Sequence, residues 1–199
     1  NLCIRAYHLL KKNFPQLPAV KIYLHKAIAA GAGLGGGSAD GAFMLMLLNT
    51  KFNLKLTQEE LLHYALELGS DCPFFIFNKA SFAQQRGEIL EPVNLNLSKY
   101  KLVLINPGIH VNTGWAFTQV KFSNNKNIKD IISLPVEEWK KNLTNDFELP
   151  VFKEFPEIAG IKNQLYASGA VYASMSGSGS TVYGIFLKDD ATHYKDYPQ

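Results

Sequence analysis

The sequence predicts an α+β fold divided into two units, and three observations lead to this prediction. The 199 residues are enough for one large or two small domains, and a hydrophobic fraction of 47% can fill a packed core. Helical spacing and strand-like alternation both occur along the chain. A new buried strand begins after Lys99. We therefore expect an N-terminal domain over residues 1–96 and a C-terminal domain over 97–199.

Two helices of the N-terminal domain follow from their sequence patterns. Residues 39–49 are apolar on nearly every face, which predicts a helix buried on all sides, with Ser38 as its N-cap. Thr57 and Glu60 have the spacing of a capping box, so a second helix begins there and ends at Gly69. The remaining patterns of this domain predict a helix over 2–10, strands over 20–24, 74–77, 80–84 and 89–93, and a turn at 86–88.

The C-terminal domain contains a second glycine-rich segment, Ser-Gly-Ser-Gly-Ser at 176–180, between two predicted strands. Five glycine and serine residues in a row are typical of a loop. The patterns of this domain predict a buried strand over 101–105, a helix from Thr113, a polar connector over 123–129, a helix over 162–167, and strands over 171–175 and 181–187.

Composition and charge exclude several classes of function. The net charge of +3 is spread along the chain, which argues weakly for an anionic ligand and against nucleic acid as a partner. Cys3 and Cys72 form no metal-type cluster, so we expect two buried thiols in a reducing cytoplasm. The histidines are scattered without ligand spacing, so no metal site is predicted. No apolar run reaches the length of a membrane span and the first residues lack a signal-peptide layout, so we expect a soluble protein with no membrane partner.

The strongest functional signal is a loop with five glycines in seven positions, Gly-Ala-Gly-Leu-Gly-Gly-Gly at 31–37. Glycine permits backbone conformations and close approaches that other residues do not. Because the loop stands between a predicted strand and a predicted helix, free N–H groups and the positive end of the helix dipole would converge at one point. Such an arrangement binds anions, most commonly phosphate, so the loop favours a nucleotide ligand.

Two other nucleotide-binding loops can be weighed against the spacing of these glycines. Gly31, Gly33 and Gly36 also match the dinucleotide-binding fingerprint, which expects an acidic residue about 20 positions later at the end of a second strand. Residues 51–55 offer lysines and asparagine instead, and a helix follows them, so that fold is disfavoured. No Gly-Lys-Ser/Thr follows the glycines, which excludes a Walker-type loop.

Three ordered motifs resemble those of the GHMP kinases, the family of galacto-, homoserine, mevalonate and phosphomevalonate kinases. Residues 31–40, Gly-Ala-Gly-Leu-Gly-Gly-Gly-Ser-Ala-Asp, resemble the second signature of the family. Residues 68–75, Leu-Gly-Ser-Asp-Cys-Pro-Phe-Phe, resemble the segment that carries the catalytic aspartate, and residues 175–181 resemble the C-terminal glycine motif. The resemblance covers residues 1–187 and is strongest to the branch that acts on 4-diphosphocytidyl-2-C-methyl-D-erythritol.

This resemblance implies a fold and a reaction. The fold would be the GHMP kinase two-domain fold, with an ATP-binding N-terminal domain (ribosomal protein S5 domain 2-like, truncated here) and a C-terminal α/β ferredoxin-like domain. The reaction would be ATP-dependent phosphorylation of the 2-hydroxyl of 4-diphosphocytidyl-2-C-methyl-D-erythritol in non-mevalonate isoprenoid (terpenoid) biosynthesis, with ATP and Mg²⁺ as cofactors. Another GHMP kinase, of mevalonate or homoserine type, and a non-catalytic nucleotide-binding protein of the same fold stay as alternatives.

The resemblance also assigns roles in the N-terminal domain. Asp71 would orient the acceptor hydroxyl and take its proton, although Ser-Asp-x-Pro is also a common turn in which the carboxylate only caps backbone amides. Mg²⁺ would be held by phosphate oxygens, with Ser38 as the nearest protein candidate and Asp40 as another. The ATP-binding residues would be Ala29, Ala30, Gly31, Ala32, Gly33, Leu34, Gly35, Gly36, Gly37, Ser38 and Ala39.

The acceptor is expected to contact the C-terminal domain as a small-molecule substrate. Thr113 would hydrogen-bond the cytidine base and Phe117 would stack on it, although an aromatic residue at this place in an amphipathic helix also fits the core. Gly177, Ser178 and Gly179 would contact the substrate within a segment that completes the phosphate side of the site. The sequence leaves the oligomeric state open.

One part of the family pattern is absent from this sequence. The first family signature, an N-terminal strand segment with a lysine beside the catalytic aspartate, is not present, and Asn1 falls inside the pattern. Lys21 and Lys26 flank a predicted strand and are interpreted as solvated charges. We therefore expect the chain by itself to have little or no kinase activity, which sequencing upstream of Asn1 and a side-by-side assay would test.

Overall fold

The computed structural model describes residues 1–28, 31–85, 87–121 and 127–188. The chain forms two compact units, one of Asn1–Ala30 with Gly35–Asn94 and the other of Gly31–Leu34 with Leu95–Gln199. The glycine loop is therefore divided, because residues 31–34 pack with the C-terminal unit. The domain limits of 1–96 and 97–199 stay a prediction. No helix in the described ranges is long and apolar enough to cross a membrane.

The N-terminal unit consists of helices and one short hairpin. Its core is built from fully buried side chains such as Leu10, Leu45 and Leu48. The predicted capping box is confirmed, since the N–H of Glu60 donates to the Thr57 hydroxyl and the N–H of Thr57 donates to the Glu60 carboxylate. The elements are α1 (Leu2–Asn13), α2 (Gly36–Lys51), α3 (Gln58–Leu68), α4 (Cys72–Phe77), β1 (Ser81–Gln84) and β2 (Ile89–Pro92), with β1 and β2 antiparallel.

Two strand predictions and one burial prediction for this unit are wrong. Residues 74–77 lie in α4 rather than in a strand, because Pro73 in the first turn favours a helix start and a short apolar run does not distinguish the two structures. Residues 20–24 form no strand, since none of the strands in the described ranges pairs with them. Helix α2 is not buried on all sides, because Phe43 and Leu47 are half exposed. The predicted turn at 86–88 includes Arg86, which lies outside the described residues.

The C-terminal unit is built on an antiparallel three-stranded sheet. The strand order is β3-β5-β4, with β5 (Val182–Leu187) in the centre. The predicted strand over 101–105 is present, but it is not buried throughout, because Leu102 and Leu104 are more than half exposed on an outer strand. The other elements are β3 (Tyr100–Ile105), α5 (Thr113–Gln119), α6 (Ile128–Ser133), α7 (Val136–Asn142), α8 (Glu148–Glu154), α9 (Pro156–Ala167) and β4 (Tyr172–Met175).

Both faces of this sheet are covered. Ala173, Met175 and Phe186 pack in one core cluster with α8 and α9, whereas Tyr172 and Ile185 pack against α7 in another. Facing residues alternate because successive side chains of a strand point to opposite faces. The polar connector predicted over 123–129 lies partly outside the described residues, and its last two residues begin α6. This sheet carries the second glycine-rich segment in the connection from β4 to β5.

Candidate functional site

The start of α2 presents free backbone N–H groups. Gly35 has φ +66° and is the N-cap, and the first helical hydrogen bond runs from the N–H of Ala39 to the carbonyl of Gly35. The N–H groups of residues 36–38 therefore precede the helical ladder and carry the positive end of the helix dipole. The prediction of Ser38 as N-cap is wrong, because the left-handed turn at Gly35 starts the helix three residues earlier.

Helix α4 packs against this helix start. The ring of Phe75 lies next to Gly35, where a Cβ atom would be 2.9 Å from the Phe75 Cζ. The Ser38 hydroxyl hydrogen-bonds the Cys72 thiol. Burial raises the pKa of that thiol, the charge of Asp71 raises it further, and the hydrogen bond with Ser38 lowers it. Cys72 is thus a buried neutral thiol, as the sequence predicted, and so is Cys3.

Asp71 has an exposed side chain and immediately precedes Cys72, the residue whose thiol hydrogen-bonds Ser38 in the first turn of α2. It stands at the N-cap position of α4, but its side chain makes no capping hydrogen bond. Its Oδ1 would lie 3.7 Å from a Cβ atom at Gly87. Within the N-terminal unit, the candidate carboxylate is therefore one residue along the chain from a side chain that contacts the start of α2.

A lysine stands at the same helix start. The Lys26 Nζ lies 2.6 Å from the Asp40 Oδ2, and the Lys26 side chain is one-third exposed. A Cβ atom at Gly36 would lie 3.6 Å from the Lys26 Nζ, so the ammonium group is close to the first helical residue. Lys26 is exposed, as its interpretation as a solvated charge expects, but its ammonium group also pairs with Asp40 in the first turns of α2.

The first half of the glycine loop interlocks with the second glycine-rich segment inside the C-terminal unit. A Cβ atom at Gly33 would lie 2.4 Å from the carbonyl oxygen of Ser176 and 2.7 Å from that of Gly179. The Ser176 hydroxyl donates to the Gly33 carbonyl at 2.8 Å, and the N–H of Thr181 donates to the Ala32 carbonyl at 3.2 Å. Residues 31–34 are thus held by the loop over 176–180.

The predicted acceptor residues lie around this same loop. The hydroxyls of Thr113 and Ser178 are 3.1 Å apart, and Gly177 and Gly179 have positive φ angles. The structure therefore joins the start of α5 to the second glycine-rich segment. Ser180, the last residue of the segment, is buried, and no hydrogen-bond partner for its hydroxyl is present in the described part of the chain.

Phe117 is 55% exposed, so it does not belong to the core. Its ring meets the ring of Phe147 edge to face, with 4.9 Å between centroids. Trp115 instead packs edge-on against Phe155 and joins the buried cluster on one face of the sheet. The exposed aromatic residue of α5 is therefore the one for which a stacking role was predicted.

The structure also identifies residues that the sequence patterns did not single out. Asn145 and Glu148 hydrogen-bond the backbone where β4 enters the second glycine-rich segment. No signal in the sequence marks them, because both stand in a largely polar stretch, Asn-Leu-Thr-Asn-Asp-Phe-Glu at 142–148. Ala29 and Ala30, predicted to bind ATP, lie outside the described residues. Among the described residues, no group of three or more His, Cys, Asp or Glu side chains could hold a metal ion.

Known proteins share both glycine-rich segments' surroundings with this chain, as comparison with family models and relatives shows. The family model described as GHMP kinases N terminal domain matches residues 1–79, and the one described as GHMP kinases C terminal matches residues 127–195. The protein of Bacteroides fragilis named 4-diphosphocytidyl-2-C-methyl-D-erythritol kinase is 52% identical over 198 residues, which are 99% of this chain and 72% of that protein. The protein of Cytophaga hutchinsonii with the same name is 47% identical over 198 residues, 98% of this chain and 73% of that protein.

Solved structures agree with the sequence relatives. A crystal structure of 4-(cytidine 5'-diphospho)-2C-methyl-D-erythritol kinase superposes with a TM-score of 0.80 at 32% identity, over 95% of this chain and 69% of that one. A homoserine kinase from Cytophaga hutchinsonii superposes with a TM-score of 0.68 at 16% identity, over 95% of this chain and 67% of that one, and this likeness supports the fold alone. The chain belongs to the GHMP kinase family.

Proposed function

We propose that this chain supplies the phosphate site and the proton acceptor for ATP-dependent phosphorylation of the 2-hydroxyl of 4-diphosphocytidyl-2-C-methyl-D-erythritol, the substrate for which the relatives that share about half of its residues are named. The observation that carries the proposal is that the exposed Asp71 directly precedes Cys72, whose thiol hydrogen-bonds Ser38 at the start of α2, where backbone N–H groups are free. An anion site and a proton acceptor are the two groups that phosphoryl transfer to an alcohol requires.

The start of α2 would hold the phosphates of ATP. The N–H groups of residues 36–38 would donate to phosphate oxygens, where the helix dipole also favours negative charge. The Lys26 ammonium beside Gly36 would add a positive charge that is already oriented by Asp40. Because these donors are fixed before the reaction, they would stabilise charge on the moving phosphoryl group without reorganisation.

Mg²⁺ fits this site as an ion bound mainly through the nucleotide. The protein offers few ligands there, because Asp40 pairs with Lys26 and Ser38 bonds to Cys72. Mg²⁺ commonly keeps water and phosphate oxygens as its main ligands, with one or two protein groups. When bound, the ion would neutralise phosphate charge, and the nearest protein ligand would be the Ser38 oxygen, which keeps its lone pairs because the hydroxyl donates its hydrogen to the Cys72 thiol.

Asp71 would act on the acceptor hydroxyl. The hydroxyl oxygen forms the new bond to the γ-phosphorus, the bond to the β-phosphate oxygen breaks to release ADP, and the hydroxyl proton passes to the Asp71 carboxylate. An exposed carboxylate without a capping bond is free to take this role. In the C-terminal unit, Thr113 and Ser178 would hydrogen-bond the acceptor and the exposed ring of Phe117 would stack on its cytosine.

The test replaces Asp71 by asparagine in the protein expressed from the complete reading frame. Asp71→Asn keeps the shape of the side chain and removes the proton acceptor, so kcat should fall by roughly 10²–10⁴ with an unchanged melting temperature. Asp130→Asn, at an exposed carboxylate of α6, is the matched control. A variant that melts early and keeps its kcat would show that Asp71 only supports its turn. Turnover with homoserine or mevalonate, but not with the cytidyl substrate, would overturn the proposed acceptor.

A further inference from the structure

We infer that the segment Asn145–Glu148 is a positioning element that fixes both the first half of the ATP loop and the aromatic acceptor contact. The inference rests on the proposed function and adds residues to it that touch neither substrate. Each step lies within the C-terminal unit. Three side chains of the segment reach three different parts of the site.

Asn145 clamps the second glycine-rich segment through its side-chain amide. Its Nδ2 donates to the carbonyl of Met175 at 2.8 Å and to the carbonyl of Gly177 at 2.7 Å. Its Oδ1 accepts the N–H of Phe147 at 3.0 Å. Both amide hydrogens and the amide oxygen are therefore used, and only an amide can donate twice and accept once from this position.

Glu148 fixes the strand end that leads into the same loop. It is buried, and its Oε1 accepts the N–H of Met175 at 2.8 Å and the Ser174 hydroxyl at 3.0 Å. Its Oε2 pairs with the Lys162 Nζ at 2.5 Å. A buried carboxylate with this many partners is held in one geometry, because leaving any donor unpaired there would cost free energy.

Phe147 supports the aromatic contact. Its half-buried ring meets the exposed ring of Phe117 edge to face at 4.9 Å, a geometry that aromatic pairs prefer. Without that neighbour the side chain of Phe117 would be free to adopt other rotamers. The ring of Phe117 is thus oriented by the residue that lies between Asn145 and Glu148 in the turn.

The clamp on the second glycine-rich segment reaches the ATP loop through Ser176 and Thr181. Ser176 lies between the two carbonyls that Asn145 holds, and its hydroxyl donates to the Gly33 carbonyl. Thr181 fixes the Ala32 carbonyl from the other end of the segment. If the amide of Asn145 released the loop, residues 31–34 would lose the backbone against which they pack.

The experiment replaces the donating NH₂ group of Asn145 by a carboxylate oxygen, which only accepts and has nearly the same shape. Asn145→Asp places a carboxylate oxygen about 2.7–2.8 Å from two carbonyl oxygens, so both hydrogen bonds become repulsive. In the protein from the complete reading frame, assayed well below its melting temperature, the KM for ATP should rise at least about 10-fold, the effect of roughly one charge-assisted bond. Asn96→Asp is the control, because within the described residues the Asn96 side chain only accepts, from the N–H of Ser98, and a carboxylate can do the same.

Two further variants separate positioning from folding. Ser176→Ala removes only the bond to Gly33, so it should raise the KM for ATP about 2–10-fold, the effect of one neutral hydrogen bond. Phe147→Leu should raise the KM for the cytidyl substrate and leave the KM for ATP within the error of the control. If Asn145→Asp or Ser176→Ala lowers the melting temperature while every KM equals that of Asn96→Asp, the segment is only structural and the inference fails. Wild-type protein that binds no ATP in a direct titration would overturn the proposed function, and this inference with it.

Discussion

The two halves of the glycine loop need glycine for different reasons. In the first half, Gly33 has φ +77°, and any side chain there would overlap the backbone of the second glycine-rich segment. In the second half, Gly37 has a helical backbone and no atom within 4 Å of the place where a Cβ would stand. The fold therefore requires glycine at position 33, whereas no contact in the free protein requires it at position 37. Because folding does not require glycine at position 37, ligand binding is the candidate reason for the glycine there.

This difference changes how the loop should be probed. Replacement of Gly35 by valine, the natural choice from the sequence, would place a Cβ atom 2.9 Å from the ring of Phe75 at a φ of +66°. Such a variant would lose affinity through a distorted fold as readily as through a blocked phosphate site. Gly37 avoids both problems, so it is the position at which an effect on the ligand can be measured alone.

The largest expected effect is on stability at Gly33. Gly33→Ala should lower the free energy of unfolding by roughly 2–5 kcal/mol, from about 1–2 kcal/mol of left-handed strain and about 1–3 kcal/mol of forced overlap. Urea denaturation followed by circular dichroism measures this loss. A variant as stable as the wild type would mean that the contacts with Ser176 and Gly179 relax freely, and the contrast between the two halves would then disappear.

A smaller effect is expected on ligand binding at Gly37. Gly37→Val should weaken ATP binding at least about 10-fold, or about 1.4 kcal/mol, because its side chain would stand among the N–H groups that donate to phosphate. The free energy of unfolding, measured in urea, should stay within about 0.5 kcal/mol of the wild-type value. Calorimetric titration with ATP measures the affinity, and an unchanged dissociation constant would show that phosphate does not approach residue 37.

The Lys26–Asp40 pair should matter less than the helix start that it flanks. Lys26→Met should weaken ATP binding about 3–10-fold and make the affinity less sensitive to salt, since one charge close to the phosphates is removed. Its effect on stability should be below about 1 kcal/mol, because the pair is partly exposed. Lys21→Met, the control, removes the same charge from a lysine five residues earlier in the chain. If Lys26→Met and Lys21→Met lose the same ATP affinity, Lys26 has no specific contact with the phosphates.

Sequence patterns were sufficient where a structure depends on neighbouring residues. The capping box of Thr57 and Glu60 was confirmed because it is a contact across a single helical turn. Residues 74–77 were misassigned because four apolar residues have no period, and residues 20–24 because alternation alone does not supply a pairing partner. The role of Asn145 could not be read at all, since its partners lie 30 and 32 residues away.

The family motifs contain information that periodicity lacks, because they relate residues that are distant in the sequence. They therefore place Asp71 and residues 35–39 in one site, which stays a prediction. The motifs did not separate the glycines from one another, because a motif treats all five alike. Only the contacts of each glycine distinguish Gly33, enclosed by backbone, from Gly37, which faces open space.

The smallest expected effect has opposite signs on stability and binding. Gly37→Ala should raise the free energy of unfolding by about 0.4–1 kcal/mol, because alanine restricts the unfolded chain and suits a helical position. Its methyl group should still weaken ATP binding slightly, by less than Gly37→Val. Gly33→Ala is the matched control, since the same methyl group four residues earlier should destabilise. Urea denaturation of the two alanine variants, with and without saturating ATP, gives the free energy of unfolding of each variant in the free and the ATP-bound state. If both variants destabilise the free protein, the fold itself demands glycine throughout the loop, and Gly37 cannot be assigned to the ligand.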